Sequence, residues 1–301
     1  MKLNVCLINY NNYEDTIACL NSLLNQSIDN FNVVLVDNCS TNQSVFCITD
    51  YLLKTNIPFA NYYYKEDSFS LLQSNDKTLG KKIYIIQNDK NAGFAGGNNV
   101  GVKFSRSFLS CDLFLFLNND TVVPENFIEV MVNEHSQFST KHQSYIALSA
   151  IEFNYYTKKK SHNGFHYLNL FSGFCLSRPI VPYFKYICGA CLMVDEPIPF
   201  MDEGYFLYFE DTDYSKQLIG RGFQLCKTDK TRYFHKIGHS MQDNLVKSTY
   251  HFTSLWKFMN KYYPRYTKFV LLLRYMQYIC LGKKDTCKLL VQTYKTANSY
   301  E

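Results

Sequence analysis

The sequence predicts an α/β fold, a mostly parallel central sheet flanked by helices, with a C-terminal helical extension. Three observations predict it. Apolar runs of strand length alternate with segments at helical spacing through the first ninety residues. Right-handed crossovers make such strands parallel, so the short polar loops that follow them collect on one edge of the sheet. After Ser240 the composition turns basic and aromatic. A chain of 301 residues, 47% hydrophobic and 19% charged, buries a large core; it is too apolar for a disordered protein and too interrupted for a multi-span membrane protein. The expected division is a main domain over 1–245 and a helical extension over 246–301.

Leu3 to Ile8 is an apolar strand. In 13-YEDTIACLNSLLNQS-27, Ile17, Leu20, Leu23 and Leu24 recur at helical spacing, and Phe31 to Val36 is a second strand that completes a βαβ unit. Polar loops follow both strands, 9-NYNN-12 and 37-DNCST-41. Residues 54–81 lack clear periodicity and read as an insertion lying over the sheet. A third strand, Lys82 to Gln87, leads into 91-NAGFAGGNNVG-101 and a helix running to about Phe108. The run 112-DLFLFLNNDTVVPENF-127 begins as a buried strand and ends abruptly in Asn118, Asn119 and Asp120; a helix follows from Val122, with Pro124 at its opening.

Next come a strand near Tyr145 to Ile151 and an irregular stretch through Tyr186, rich in Tyr, Phe and Lys, of the kind that shapes specificity. Ile187 to Val194 resumes the strand pattern. An acidic loop then enters a glycine-capped helix in 205-YFLYFEDTDYSKQLIGRG-222, and Phe223 to Cys226 and Arg232 to Phe234 are short strands. The extension contains 261-KYYPRYTKFVLLLRYMQYICLGKK-284, whose apolar part is too short to span a bilayer and is interrupted by Arg274. Two readings fit it: an amphipathic basic helix on an anionic membrane, giving peripheral contact with the cytoplasmic membrane face, or a helix packed on the domain with its lysines in water.

The net charge of +5 is modest and the basic residues form no arm or stripe, which argues against a nucleic-acid partner. Eleven cysteines, an odd number without a regular framework and with no signal peptide before them, predict reduced thiols and a cytoplasmic protein. Cys188 and Cys191 have the spacing of a zinc half-site but lack a second pair, so they read as small buried thiols.

Candidate chemistry lies in the loops. Glycine-rich turns that open a helix let backbone amides approach a phosphate, but 91-NAGFAGGNNVG-101 departs from GxGxxG and follows the third strand, which argues against a nicotinamide enzyme. Asp37 ends a strand where an acid accepts hydrogen bonds from a ribose hydroxyl or a pyrimidine N–H; an Asx turn with Ser40 is the alternative. Asn118, Asn119 and Asp120 read either as a turn or as a metal or phosphate site at the carboxyl end of a strand.

In order along the chain, 7-LINYNNYEDTIACLNSLLNQ-26, 35-LVDNCST-41, 91-NAGFAGGNN-99, 115-LFLNNDTVVP-124, 208-YFEDTDYSKQL-218 and 235-HKIGHS-240 together resemble a family 2 glycosyltransferase of the Rossmann-like GT-A fold. The likeness covers about residues 3–242 and is greatest to the rhamnosyltransferase-like branch that builds bacterial surface polysaccharides. It implies a nucleotide-sugar donor, UDP- or dTDP-linked, against Asn9, Tyr10, Asp37, Asn91, Gly93, Gly96, Asn98, Asn118 and Asn119. Asn118-Asn119-Asp120 stands in the place of the DXD motif, whose final Asp binds a divalent cation, Mn²⁺ or Mg²⁺, on the donor diphosphate. Asn118 replaces the first acid, leaving fewer charges for the ion. His235 matches the late histidine that completes the metal site, with His239 as the alternative. Asp211 matches the general base, Glu210 lies beside it, and Asp213 falls in the first helical turn, where the dipole favours an acid.

The implied reaction is inverting transfer to a glycan or lipid-linked glycan. A sugar-1-phosphate nucleotidyltransferase is the rival enzyme class, but no glycine-rich, Arg- or Lys-bearing triphosphate loop lies near the start. A noncatalytic glycan-binding or scaffold relative is the third reading, and the intact Asp37, Asp120, Asp211 and His235 argue against it.

Overall fold

The computed structural model describes residues 1–75, 83–236 and 244–299. The first βαβ unit forms as its pattern requires: β1 (Leu3–Asn9), α1 (Tyr13–Leu24) and β2 (Phe31–Asp37), with β1 and β2 parallel in register from Leu3–Phe31 to Asn9–Asp37. A helix α2 (Ser44–Lys54), absent from the sequence reading, follows. Residues read as an insertion over the sheet instead extend its edge as β3 (Phe59–Lys65) and β4 (Ser68–Ser74). β3 pairs parallel with β5 (Ile83–Asn88). Its pattern was obscured by Asn61, a buried polar residue whose side chain accepts a hydrogen bond from Gln87 Nε2 at 3.0 Å.

Helix α3 (Gly93–Phe108) leads to β6 (Leu113–Leu117), which is buried throughout and pairs parallel with β1. Then come β7 (Thr121–Val122), α4 (Phe127–His142) and β8 (Ile146–Asn154). The fourth helix thus starts later than the sequence suggests, because Thr121 and Val122 are taken by the sheet. The irregular stretch contains β9 (Lys160–His162), which pairs with β8, and a separate three-stranded sheet of β10 (His166–Asn169), β11 (Cys175–Leu176) and β12 (Tyr183–Tyr186). β13 (Cys191–Asp195) is shorter than its apolar run, and residues 187–190 form a loop. After α5 (Glu210–Gly220), the two expected short strands are one strand, β14 (Gln224–His235), with an irregularity between Thr228 and Arg232.

The main sheet runs β4-β3-β5-β2-β1-β6-β13-β8-β14-β7, with β9 on β8. Its run from β3 to β6 is parallel, which puts the carboxyl ends of β1, β2 and β6 on one edge. All eleven cysteines are free thiols, and Cys188 and Cys191 are among them. Burial raises both of these thiols far above their ordinary range, so they stay protonated.

The extension forms α6 (Asn244–Tyr262), α7 (Pro264–Cys280) and α8 (Lys284–Ala297). Along α6, Phe252, Leu255, Trp256 and Met259 recur at helical spacing and share one core with Phe184, Tyr186, Tyr205 and Phe209. Fully burying each such side chain is worth about 1.5–3 kcal/mol. Among the described residues no helix is long and apolar enough to cross a membrane.

Asp213, read as a helix-dipole residue, has a tertiary partner as well. It is fully buried and accepts from Tyr205 Oη at 3.2 Å, Gln217 Nε2 at 2.7 Å and Lys261 Nζ at 2.7 Å. Lys261→Met is expected to destabilise the protein by about 2 kcal/mol. That is below the ~3–5 kcal/mol of a fully buried pair, because the Lys261 side chain is 37% exposed. A denaturant midpoint unchanged in the variant would refute it.

Lys257 and Lys261 also bond to Asp202 at 2.9 and 3.0 Å. Desolvation raises that carboxyl, but the two lysines outweigh it and hold it down to about 2. A depressed carboxyl contributes stability above its unfolded value of about 4. The contribution is lost as pH falls from there toward 2.

Candidate active site

Four polar side chains join the ends of the first, second and sixth strands. Asn9, fully buried, donates from Nδ2 to Asp37 Oδ1 at 2.6 Å. Its Oδ1 accepts from Thr16 Oγ1 at 2.8 Å, and Thr16 Oγ1 in turn accepts from Asn119 Nδ2 at 2.8 Å. Asp37 is 3% exposed and also takes the Ser40 N–H at 2.9 Å and the Ser40 hydroxyl at 2.6 Å, so the Asx-turn geometry is present. Tyr10 is exposed beside this network.

The glycine loop is tied to the same edge by Asn38, which the sequence reading passed over. Buried at 2% exposure, Asn38 donates to Asn91 Oδ1 at 3.0 Å and to the Gly93 carbonyl at 2.9 Å, and accepts from Asn88 and the Ala92 N–H. Gly93 has φ +69°, and a Cβ there would overlap the Phe206 carbonyl. Gly96 lies against Ala92, and Asn98 is buried with its amide bonded to the Phe94 carbonyl. Asn99 ties α3 to the 201–203 segment through Met201 and Glu203.

Asp120 and His235 are brought together by strand pairing. Phe234 and His235, at the end of β14, lie opposite Val122 and Thr121 of β7, and the Lys236 N–H donates to the Asp120 carbonyl. His235 Nε2 stands 3.1 Å from Asp120 Oδ1, and Nδ1 is 3.3 Å from Glu152 Oε2. Burial disfavours a charged ring, but the two flanking carboxylates raise His235 to about 9. Glu152 is 3% exposed and also accepts from Tyr233 Oη at 3.0 Å. Its sequence signal was an acid inside the apolar strand IALSAIEFN.

The residues at the end of β6 fit a cation in one respect. Asn118 Oδ1 and Asp120 Oδ1 are buried without a hydrogen-bond partner, although Asp120 Oδ1 lies within ion-pair distance of His235. Two hard oxygens and an imidazole whose other nitrogen faces a carboxylate suit Mn²⁺ or Mg²⁺. Among the described residues no cluster of three or more His, Cys, Asp or Glu is arranged to hold a metal. His239 lies outside the described residues.

The acidic pair reaches this edge through one loop. The Asn118 N–H donates to the Ala190 carbonyl at 3.0 Å, and the adjacent Gly189 N–H donates to Asp211 Oδ2 at 3.1 Å. Asp211 Oδ1 takes the Thr212 N–H at 2.6 Å and the Thr212 hydroxyl at 3.1 Å. Glu210 is more deeply buried and its Oε2 has no partner. Burial raises both carboxyls, for Glu210 with the Asp211 charge adding to the rise, and for Asp211 against the bonds from Gly189 and Thr212.

Just before the pair, Tyr208 and Phe209 have φ of 67° and 65°, consecutive left-handed non-glycine residues that cost on the order of 1–3 kcal/mol each. Phe209 is held in the core it shares with α6, and Ser254 of α6 donates to the Leu207 carbonyl. The extension thereby fixes the turn that presents the acids.

This fold, with its polar strand ends on one sheet edge, is that of the GT-A glycosyltransferases. It is similar to the crystal structure of S. aureus TarS, with TM-score 0.52 and 15% identity over 99% of this chain and 55% of that one. It is also similar to GalNAc-T7 with UDP, GalNAc and Mn²⁺ (TM-score 0.61, 11% identity, 90% of this chain and 49% of that one). A third likeness is to the mannosyltransferase PcManGT from Pyrobaculum calidifontis with GDP-Man and Mn²⁺ (TM-score 0.55, 9% identity, 99% and 75%). The chain spans about half the length of the first two. No curated protein matches the sequence. The profile of Glycosyl transferase family 2 matches residues 4–185, and the chain belongs to that family.

Asp37→Ala is expected to weaken nucleotide binding, because it removes an acceptor at the end of β2. It also leaves Asn9 Nδ2 without its 2.6 Å partner. The residue is not the surface-loop acid its sequence context suggests, so some loss of thermal stability should accompany the loss of affinity. Unchanged nucleotide affinity by calorimetry would remove Asp37 from the donor site.

Proposed function

We propose that the chain is an inverting glycosyltransferase that moves a hexosyl or rhamnosyl group from a UDP- or dTDP-linked donor to a glycan or lipid-linked glycan, at the cytoplasmic face of a membrane. Family membership and the nucleotide-bound neighbours support a nucleotide-sugar donor. The observation that carries the reading is the hydrogen-bonded link from Asn118, beside Asp120, through Ala190 and Gly189 to Asp211. It ties the segment that carries Asp120, which faces His235, to the raised carboxyl of Asp211.

Asp120 and His235 would hold the divalent cation, with Glu152 orienting the imidazole. That ion, when bound, supplies charge neutralisation to the departing nucleoside diphosphate. Asp37, held in place by the buried Asn9, binds the nucleoside end. Asp211 accepts the proton of the acceptor hydroxyl as its oxygen forms the new bond to the anomeric carbon and the sugar–phosphate bond breaks. A base with a raised carboxyl is suited to that transfer near neutral pH.

A panel of sugar nucleotides with Mn²⁺ tests the function by release of nucleoside diphosphate. Release of pyrophosphate from a triphosphate and sugar-1-phosphate would instead identify a nucleotidyltransferase. No release, with glycan binding intact, would identify a noncatalytic relative.

A further inference from the structure

We propose that the outer face of α7 docks on an anionic phospholipid surface. Helix α7 presents different sides to the domain and away from it. Its inner side buries Thr267, Val270 and Arg274 against the domain. On its outer side Phe269, Leu272, Leu273, Met276 and Ile279, spaced at three and four residues, are 42–56% exposed. Contiguous exposed apolar stripes mark contact surfaces. The stripe continues onto a second element, since Phe171, itself exposed, packs against Phe269 with ring centroids 6.0 Å apart.

Charge identifies the occupant. Helix α7 contains no Asp or Glu, and Asp285 is the only acid among residues 264–299. Arg265 lies one turn before Phe269 and Lys268 one turn before Leu272, and Lys283 and Lys284 follow the stripe; all four are exposed. Between α7 and α8 a groove of about 780 Å³, lined by Tyr275, Ile279 and Val291, has Lys284, Lys288 and Lys295 along it. An apolar face and groove set among cations match acyl chains beneath anionic headgroups. A second copy meeting the same face would bring these cations against one another, so a lipid surface is the better fit.

The inference deepens the proposed position at the membrane face, and its test needs no turnover. Removing the extension would expose the core that α6 shares with Phe209, so point variants of the whole chain are the proper probe. The chain should co-sediment with vesicles of phosphatidylcholine mixed with phosphatidylglycerol, weakly with phosphatidylcholine alone, and less as salt rises. Leu272→Glu with Met276→Glu should abolish sedimentation while leaving the melting temperature unchanged. Lys283→Gln with Lys284→Gln should weaken partitioning about fivefold per lysine.

Equal sedimentation of the glutamate variant, equal binding to both vesicle types, or an intact chain that stays in solution would overturn the proposal. So would light scattering that shows a dimer converted by the glutamate variant to a monomer, which would make the face a contact between copies. Nucleotide-sugar turnover without vesicles tests the transferase reading separately.

Discussion

Asp211→Asn is expected to lower turnover by about 10²–10⁴-fold, the usual contribution of a general base, with donor affinity unchanged. The substitution preserves size and leaves one oxygen, which keeps the Thr212 bonds, while the Gly189 N–H loses its acceptor, so a small loss of thermal stability should accompany it. The effect on turnover comes from the lost ability to take a proton. Glu210→Gln is the paired control. Glu210 Oε2 is buried with no partner, and its charge is disfavoured by the same burial, so the amide should be tolerated or slightly stabilising. Single-turnover kinetics of both variants decide between the neighbours. Near-normal turnover in Asp211→Asn with loss in Glu210→Gln would assign the base to Glu210.

Asp120→Ala should abolish metal-dependent donor binding at concentrations that saturate the intact protein, and His235→Ala should weaken it less, because the carboxylate supplies the charge. The structure adds Glu152→Gln, expected to reduce Mn²⁺ affinity by roughly 10-fold by releasing the His235 ring from its second carboxylate. Electron paramagnetic resonance of Mn²⁺ in the presence of UDP measures all three without relying on turnover. Mn²⁺ affinity unaltered in Asp120→Ala would move the ion elsewhere, and activity that survives EDTA in full would remove it from the reaction.

The first βαβ unit, β5, α3 and β6 were legible because the strands are short apolar runs and the helices have one apolar stripe, whereas α2, β3 and β4 between them were not. Local pattern there coincides with burial: β6 is apolar and buried at every position, and it stops where Asn118 begins. The same period gave the polar loops, and with them Asn9, Asp37, Asn118 and Asp120. Patterning failed where burial was conferred by partners far away in sequence. β3 is a strand because it pairs with β5, and its buried Asn61 broke the apolar alternation.

The site divides in the same way. Sequence by itself determined which residue types end the strands and that an acidic turn opens α5, since each motif is a few consecutive residues. Only the tertiary structure decided that Glu152 backs His235, that Asn38 fastens the glycine loop, and that Asp213 anchors α6. Those are contacts between side chains 53 to 83 residues apart, except that Asp213 and Lys261 are separated by 48. It also decided that the left-handed turn before Glu210 is held by α6. A strained backbone persists only when packing elsewhere over-determines it, and no local sequence signal announces that packing.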